Sequence, residues 1–122
     1  MHLKHLNLCM PDVPAAAALF TSVFGFHIIA ELGNGAITVL RDDEGFILAL
    51  NNFARETEYT YPRDFHFGFY MDTREEVNDI YMRLKEGGHT VEHEPRKIRD
   101  GWTFYCKLFD TVVVEITHHI KD

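Results

Sequence analysis

The sequence predicts an α+β fold of two tandem βαβββ modules within one domain of 122 residues. Three observations predict it. His5-Leu-Asn-Leu-Cys-Met10 and His66-Phe-Gly-Phe-Tyr-Met71 share one strand-like pattern at an offset of 61 residues, and Gly25-Phe-His27-Ile and Gly87-Gly-His89-Thr share another at 62. Each strand-like segment is followed by a helical apolar stripe and then by short apolar runs separated by turn residues. A repeat of about sixty residues is longer than most solenoid units, so it describes two fused halves rather than an array. Glu115 stands on the last apolar run, where a duplicated fold brings it back beside His5 and His66. Two imidazoles and one carboxylate form a metal-site composition.

The first module spans about residues 1–52. Residues 3–10 alternate with the period of a strand, so His5, Asn7 and Cys9 share one face and Leu6, Leu8 and Met10 the other. Asp12 is placed to cap a helix with Pro14 in its first turn, and Val13, Ala16, Ala17, Phe20, Val23 and Phe24 form its apolar stripe up to Gly25. Residues 26–31, 36–40 and 46–51 read as three strands separated by Gly33-Asn-Gly35 and Arg41-Asp-Asp-Glu-Gly45. Residues 53–64 have no steady period and contain Pro62, which marks them as the linker and a candidate lid.

The second module spans about residues 65–118. A strand at 65–71 leads to a helix over about 73–86, opened by Asp72 or Thr73, with Glu75 and Glu76 in its first turn and Gly87-Gly88 to stop it. Its buried stripe is Val77, Ile80, Tyr81 and Leu84. Strands are predicted at 89–94, 102–108 and 111–117, with Arg96-Lys-Ile-Arg99-Asp-Gly101 as a basic loop. On the last strand Glu115 shares a face with Val113 and Thr117, while Val112, Val114 and Ile116 form an apolar row.

Hydrophobic residues make up 46% and charged residues 25%, which suits a folded globular chain. The net charge of -7 argues against nucleic acid and anionic membranes as partners, because phosphate backbones need clustered Lys and Arg. No apolar run approaches membrane-spanning length and the start lacks the apolar core of a signal peptide, so the expected location is cytoplasmic. Cys9 and Cys106 are too few and too far apart for a disulfide framework or a thiolate zinc site, and the expectation is reduced, mostly buried thiols.

The order of these segments resembles the vicinal oxygen chelate superfamily, which includes glyoxalase I, fosfomycin-resistance and bleomycin-resistance proteins, methylmalonyl-CoA epimerase and extradiol dioxygenases. His5-Leu-Asn-Leu resembles the opening metal strand, Ala18-Leu-Phe-Thr-Ser-Val-Phe-Gly-Phe26 the first helix and its exit, and His66-Phe-Gly-Phe the second metal strand. Tyr105-Cys-Lys-Leu-Phe-Asp110-Thr-Val-Val-Val-Glu115 resembles the closing hairpin. The resemblance implies a cupped mixed sheet with the helices outside, in which His5, His66 and Glu115 hold a divalent metal (Fe, Mn, Ni, Co or Zn). It also implies a homodimer and a metal-dependent enzyme acting on a small oxygen-rich substrate by thiol transfer, lyase or isomerase chemistry, or dioxygenase chemistry. The alternative is a non-catalytic module of the bleomycin-resistance type that confers antibiotic resistance by binding.

One departure narrows the chemistry. Glyoxalase I enzymes carry a fourth ligand, normally glutamate, where Gly45-Phe-Ile-Leu-Ala49-Leu places Ala49. Without that carboxylate the glyoxalase and epimerase proton transfers lose their base. The three-ligand pattern resembles fosfomycin thiol transferases and extradiol dioxygenases instead, and in the latter His93 or Tyr105 would supply acid–base chemistry. Tyr105 is the candidate catalytic residue. Strand faces direct Asn7, Asn51, Tyr70 and Thr117 toward the cavity as substrate contacts, and Arg96 and Arg99 are candidates for an anion clamp at its mouth.

Overall fold

A computed structural model describes residues 1–120, which fall into two units, Met1–Tyr59 and a second that begins at Thr60. In the first unit the alternating segment forms strand β1 (His5–Cys9), with His5 and Asn7 exposed and Leu8 and Met10 buried. Helix α1 (Val13–Ser22) starts where Asp12 Oδ1 accepts the Ala15 N–H at 3.1 Å, and it buries Val13, Ala16, Ala17 and Phe20. The helix ends at Ser22, three residues before the glycine that the sequence points to as its cap. Val23 N–H donates to Leu19 O, and Gly25, at φ +73°, then turns the chain so that Phe26 N–H reaches Phe20 O at 3.1 Å.

Strands β2 (His27–Leu32), β3 (Ile37–Arg41) and β4 (Ile47–Asn51) complete this unit in the order β1-β4-β3-β2. β1 runs parallel to β4 and the other pairs are antiparallel, so the sheet is mixed. The Gly33–Gly35 separator is a short 3-10 turn with Asn34 in the left-handed region, and it joins the antiparallel β2 and β3. The second separator is closed by Asp42, whose Oδ1 accepts the Glu44 and Phe46 N–H groups at 2.9 and 2.8 Å. The first half of the predicted linker is tied to this unit. Asn52 Nδ2 donates to Pro11 O and Glu56 O, while its Oδ1 accepts from Glu56 N–H and the Tyr59 hydroxyl.

The second unit contains β5 (His66–Tyr70), α2 (Arg74–Glu86), β6 (Thr90–Val91), β7 (Arg96–Ile98), β8 (Gly101–Leu108) and β9 (Val112–His119). Thr73 caps α2: its Oγ1 accepts the Glu76 N–H at 3.1 Å and donates to Glu76 Oε1. The sheet order is β5-β9-β8-β6, with β7 also paired to β8 and β5 parallel to β9. Both units therefore follow the predicted α+β plan, each a mixed sheet with its helix packed on one face.

Two details of the second unit differ from the sequence prediction. The strand expected at 89–94 pairs only through Thr90 and Val91. Pro95, which lacks an N–H, follows soon after and is unsuited to continuing the ladder. The segment read as a basic loop is instead strand β7, joined to β8 by a tight turn with Arg99 at φ 55°. Its charges hid it, yet charge is what an edge strand carries to discourage further pairing.

The core of the second unit lies between α2 and the apolar face of β8 and β9. Val77, Ile80, Tyr81 and Leu84 are buried from the helix side, and Phe104, Cys106, Leu108, Val112, Val114 and Ile116 from the sheet side. Burial pushes the Cys106 thiol up to about 12, so it stays protonated at neutral pH. Iodoacetamide at pH 8 is accordingly expected to leave Cys106 unmodified in the folded protein and to alkylate it once the chain is unfolded in guanidinium. Peptide mapping that found native Cys106 alkylated at the unfolded rate would contradict this packing. No helix among the described residues is long and apolar enough to cross a membrane.

Candidate metal-binding site

In a sheet, residues directly opposite one another on paired strands point to the same face. The register of the second unit therefore arranges the face away from α2 in rows. Lys107, Val113 and His66 form one row; Tyr105, Glu115 and Gly68 the next; and Arg96, Thr103, Thr117 and Tyr70 the third. Six residues singled out from the sequence, His66, Tyr105, Glu115, Thr117, Tyr70 and Arg96, thus share one face.

His66 is exposed and its Nδ1 lies 3.0 Å from the carbonyl oxygen of Asp64. A carbonyl only accepts, so in the neutral ring Nδ1 is the nitrogen that carries the proton and Nε2 the one that holds the lone pair. This is the arrangement in which a histidine serves as a metal ligand, its second nitrogen held by the backbone. Glu115 is half-buried in the adjoining row. Its Oε1 accepts the Tyr105 hydroxyl at 2.8 Å, and its Oε2 is 3.2 Å from where a Cβ on Gly68 would sit. The missing side chain at Gly68 lets the carboxylate lie toward β5, the strand that carries His66. Burial first, and then the Glu115 carboxylate, hold the Tyr105 phenol above its ordinary range, while the positive charge of Arg99 pulls it down. The Tyr105 ring also stands edge-on to His66, with centroids 5.7 Å apart, and is 6.3 Å from His93.

In the first unit the parallel register pairs His5 with Ile47, Asn7 with Ala49 and Cys9 with Asn51, so Ala49 shares the His5 face. Asn51 is 6% exposed and its amide is engaged inside the sheet: Nδ2 donates to Asn7 Oδ1 at 2.5 Å and lies 3.4 Å from Leu8 O, while Oδ1 accepts the Phe53 N–H. It therefore binds the β1–β4 seam as well as facing the expected side. Thr117 is likewise engaged, 2.6 Å from the Thr103 hydroxyl. Among the described residues no group of three or more His, Cys, Asp and Glu is placed to hold a metal ion; His66 and Glu115 belong to the second unit and His5 to the first. The donors on the second unit fit a divalent metal in type: one imidazole, which offers a lone pair in its neutral form, and one carboxylate.

Some surroundings of this site were not singled out from the sequence. A cavity of about 360 Å³ in the second unit is lined by His66 and Tyr105, together with Arg63, Glu92, Lys107 and Val113. Lys107 was legible by period two from Tyr105. Arg63 lies in an aperiodic segment and carries no such signal. Gly68 read as an ordinary strand residue because its role depends on which residue lies opposite it.

Two mixed sheets, each opened by a strand that begins with histidine and the second closed by a strand bearing glutamate, define the class to which vicinal oxygen chelate proteins belong. The chain is a member of the Glyoxalase/Bleomycin resistance protein/Dioxygenase superfamily, whose family model matches residues 2–116. A Bacillus cereus protein described as a possible glyoxalase is 39% identical, with a TM-score of 0.81 over 96% of this chain and 98% of the other. A lactoylglutathione lyase from Agrobacterium tumefaciens shares the fold at 21% identity and a TM-score of 0.72, over 96% of this chain and 92% of its own. A glyoxalase/bleomycin resistance protein/dioxygenase family enzyme from Burkholderia phytofirmans does so at 21% identity and a TM-score of 0.80, over 98% and 100%. No curated protein matches the chain.

Proposed function

We propose that this protein is a divalent-metal-dependent enzyme acting on a small oxygen-rich substrate, with His5, His66 and Glu115 as the metal ligands. The observation that carries this reading is the placement of His66: Nδ1 lies against the Asp64 carbonyl, which in the neutral ring leaves Nε2 as the lone-pair donor on the sheet face shared with Glu115. A bound metal would act as a Lewis acid on substrate oxygens and stabilise negative charge developing there. The chain's own groups do the rest. Arg96 and Arg99 attract an anionic part of the substrate, Asn7 and Tyr70 orient it, and Asn51 and Thr117 hold the strands from which these contacts project.

Ala49 on the His5 face directs the chemistry away from four-ligand glyoxalases and toward three-ligand thiol transfer or ring-cleaving oxygenation, because no carboxylate stands there to move substrate protons. The Agrobacterium lactoylglutathione lyase keeps lyase chemistry among the reactions to assay. The protein is proposed to work as a cytoplasmic homodimer.

Metal analysis of protein purified without added metal tests this reading. A stoichiometric transition metal is expected in the wild type and its loss in His5→Ala, His66→Ala and Glu115→Ala. Equal metal content in all four proteins would overturn the ligand assignment. A metal-free wild type that still binds small molecules would favour a sequestering protein of the bleomycin-resistance type. Glutathione hemithioacetals, fosfomycin with thiols, and catechols are the substrates to screen.

A further inference from the structure

We infer that Tyr105 and Gly68 form a two-sided seat for the Glu115 carboxylate, making Tyr105 a positioning residue for metal capture rather than a catalytic acid. The inference rests on the ligand role proposed for Glu115 and deepens it. Three strands converge on this carboxylate, because Gly68 of β5, Glu115 of β9 and Tyr105 of β8 occupy one row. The Tyr105 hydroxyl donates to Oε1 at 2.8 Å, so its proton is already committed to the ligand carboxylate. On the other side Gly68 has ordinary strand geometry, with no positive φ to require glycine. What a side chain would meet there is steric: a Cβ would stand 3.2 Å from Glu115 Oε2 and 3.3 Å from Glu115 O, tight enough that the carboxylate would have to give way.

The two contacts have different effects. Gly68 leaves the space into which the carboxylate swings, toward the strand that bears His66. Tyr105 fixes its rotation by holding one oxygen, which leaves Oε2 as the oxygen with no hydroxyl donor on it. A half-buried glutamate without these restraints samples several rotamers, and a metal would have to freeze that motion at the cost of affinity. Hydrogen-bonding partners of ligand residues typically contribute about 10–100-fold to metal affinity.

Cobalt(II) titration of the full-length apo protein, followed by visible absorption, is the test, with thermal unfolding as a check on folding. Tyr105→Phe keeps the ring packed against His66 and removes only the hydroxyl. It is expected to weaken cobalt binding at least about 10-fold and to shift the ligand-field bands, while unfolding stays near that of the wild type. Gly68→Ala is expected to weaken binding as well, by crowding Oε2, and it serves as the second variant if Tyr105→Phe folds poorly. Wild-type affinity and spectrum in both variants, alongside lost binding in Glu115→Ala, would overturn the seat and leave the metal site standing. Cobalt binding by Glu115→Ala equal to the wild type would overturn the ligand role and the seat together.

Discussion

Phe104→Ala is expected to destabilise the protein by about 3–5 kcal/mol, the range for truncating a fully buried phenylalanine. Phe104 is 0% exposed and occupies the centre of the β8 apolar face beneath α2. Its ring meets Tyr81 edge to face, with centroids 5.4 Å apart and planes at 79°. Removing it forfeits the transfer free energy of the ring and leaves a hole between helix and sheet. Val77, Ile80, Leu84, Val114 and Ile116 are already fully or almost fully buried around that interface and have little freedom to fill it. A fall in thermal midpoint on the order of 10 °C or more should be measured by circular dichroism. A loss below about 1 kcal/mol would mean that α2 does not pack on β8 as described.

Gly101→Ala is expected to have the next largest effect on stability, about 1–3 kcal/mol, the usual cost of overpacking a filled site. Gly101 opens β8, and a Cβ there would stand 2.8 Å from Thr103 Oγ1 and would press into Thr117 Oγ1. Both threonines are buried and their hydroxyls are bonded to one another at 2.6 Å, so neither can move without breaking that bond. The cost is steric and local. Thr117→Ala in the same chain should therefore recover part of it, and denaturant unfolding of the single and double variants should show a favourable coupling. Strictly additive losses would place the strain elsewhere. The result bears on the site as well, because Thr103 and Thr117 share their row with Arg96 and Tyr70.

Much of this fold was legible because its cues are local. Asp12 with Pro14, and Thr73 with Glu76, announce the helix starts through contacts made within one turn. The faces of β1 and β9 follow from period two alone, and burial agrees: Leu8 and Met10 are buried opposite exposed His5 and Asn7, and Val112, Val114 and Ile116 are buried between the half-buried Val113 and Glu115. β7 was not legible, because its identity comes from pairing with β8 and its composition reads as a charged loop. The short β6 was overextended because no Gly or Pro interrupts the chain from His89 until Pro95, while its pairing ends at Val91.

The candidate site divides along the same line. The sequence by itself determined which residue types were available, His66, Glu115 and Tyr105 among them, and which face of its strand each occupies, since alternation is a property of the strand alone. Tertiary structure decided who meets whom. It set Glu115 between Tyr105 and Gly68, brought Arg96 into the row of Thr103 and Thr117, and held His66 Nδ1 against the Asp64 carbonyl. Strand register is a long-range choice. It is settled by the pairing of segments as far apart as β5 and β9 and by the packing of their buried faces, and a shift of one residue would turn every one of these side chains to the opposite side.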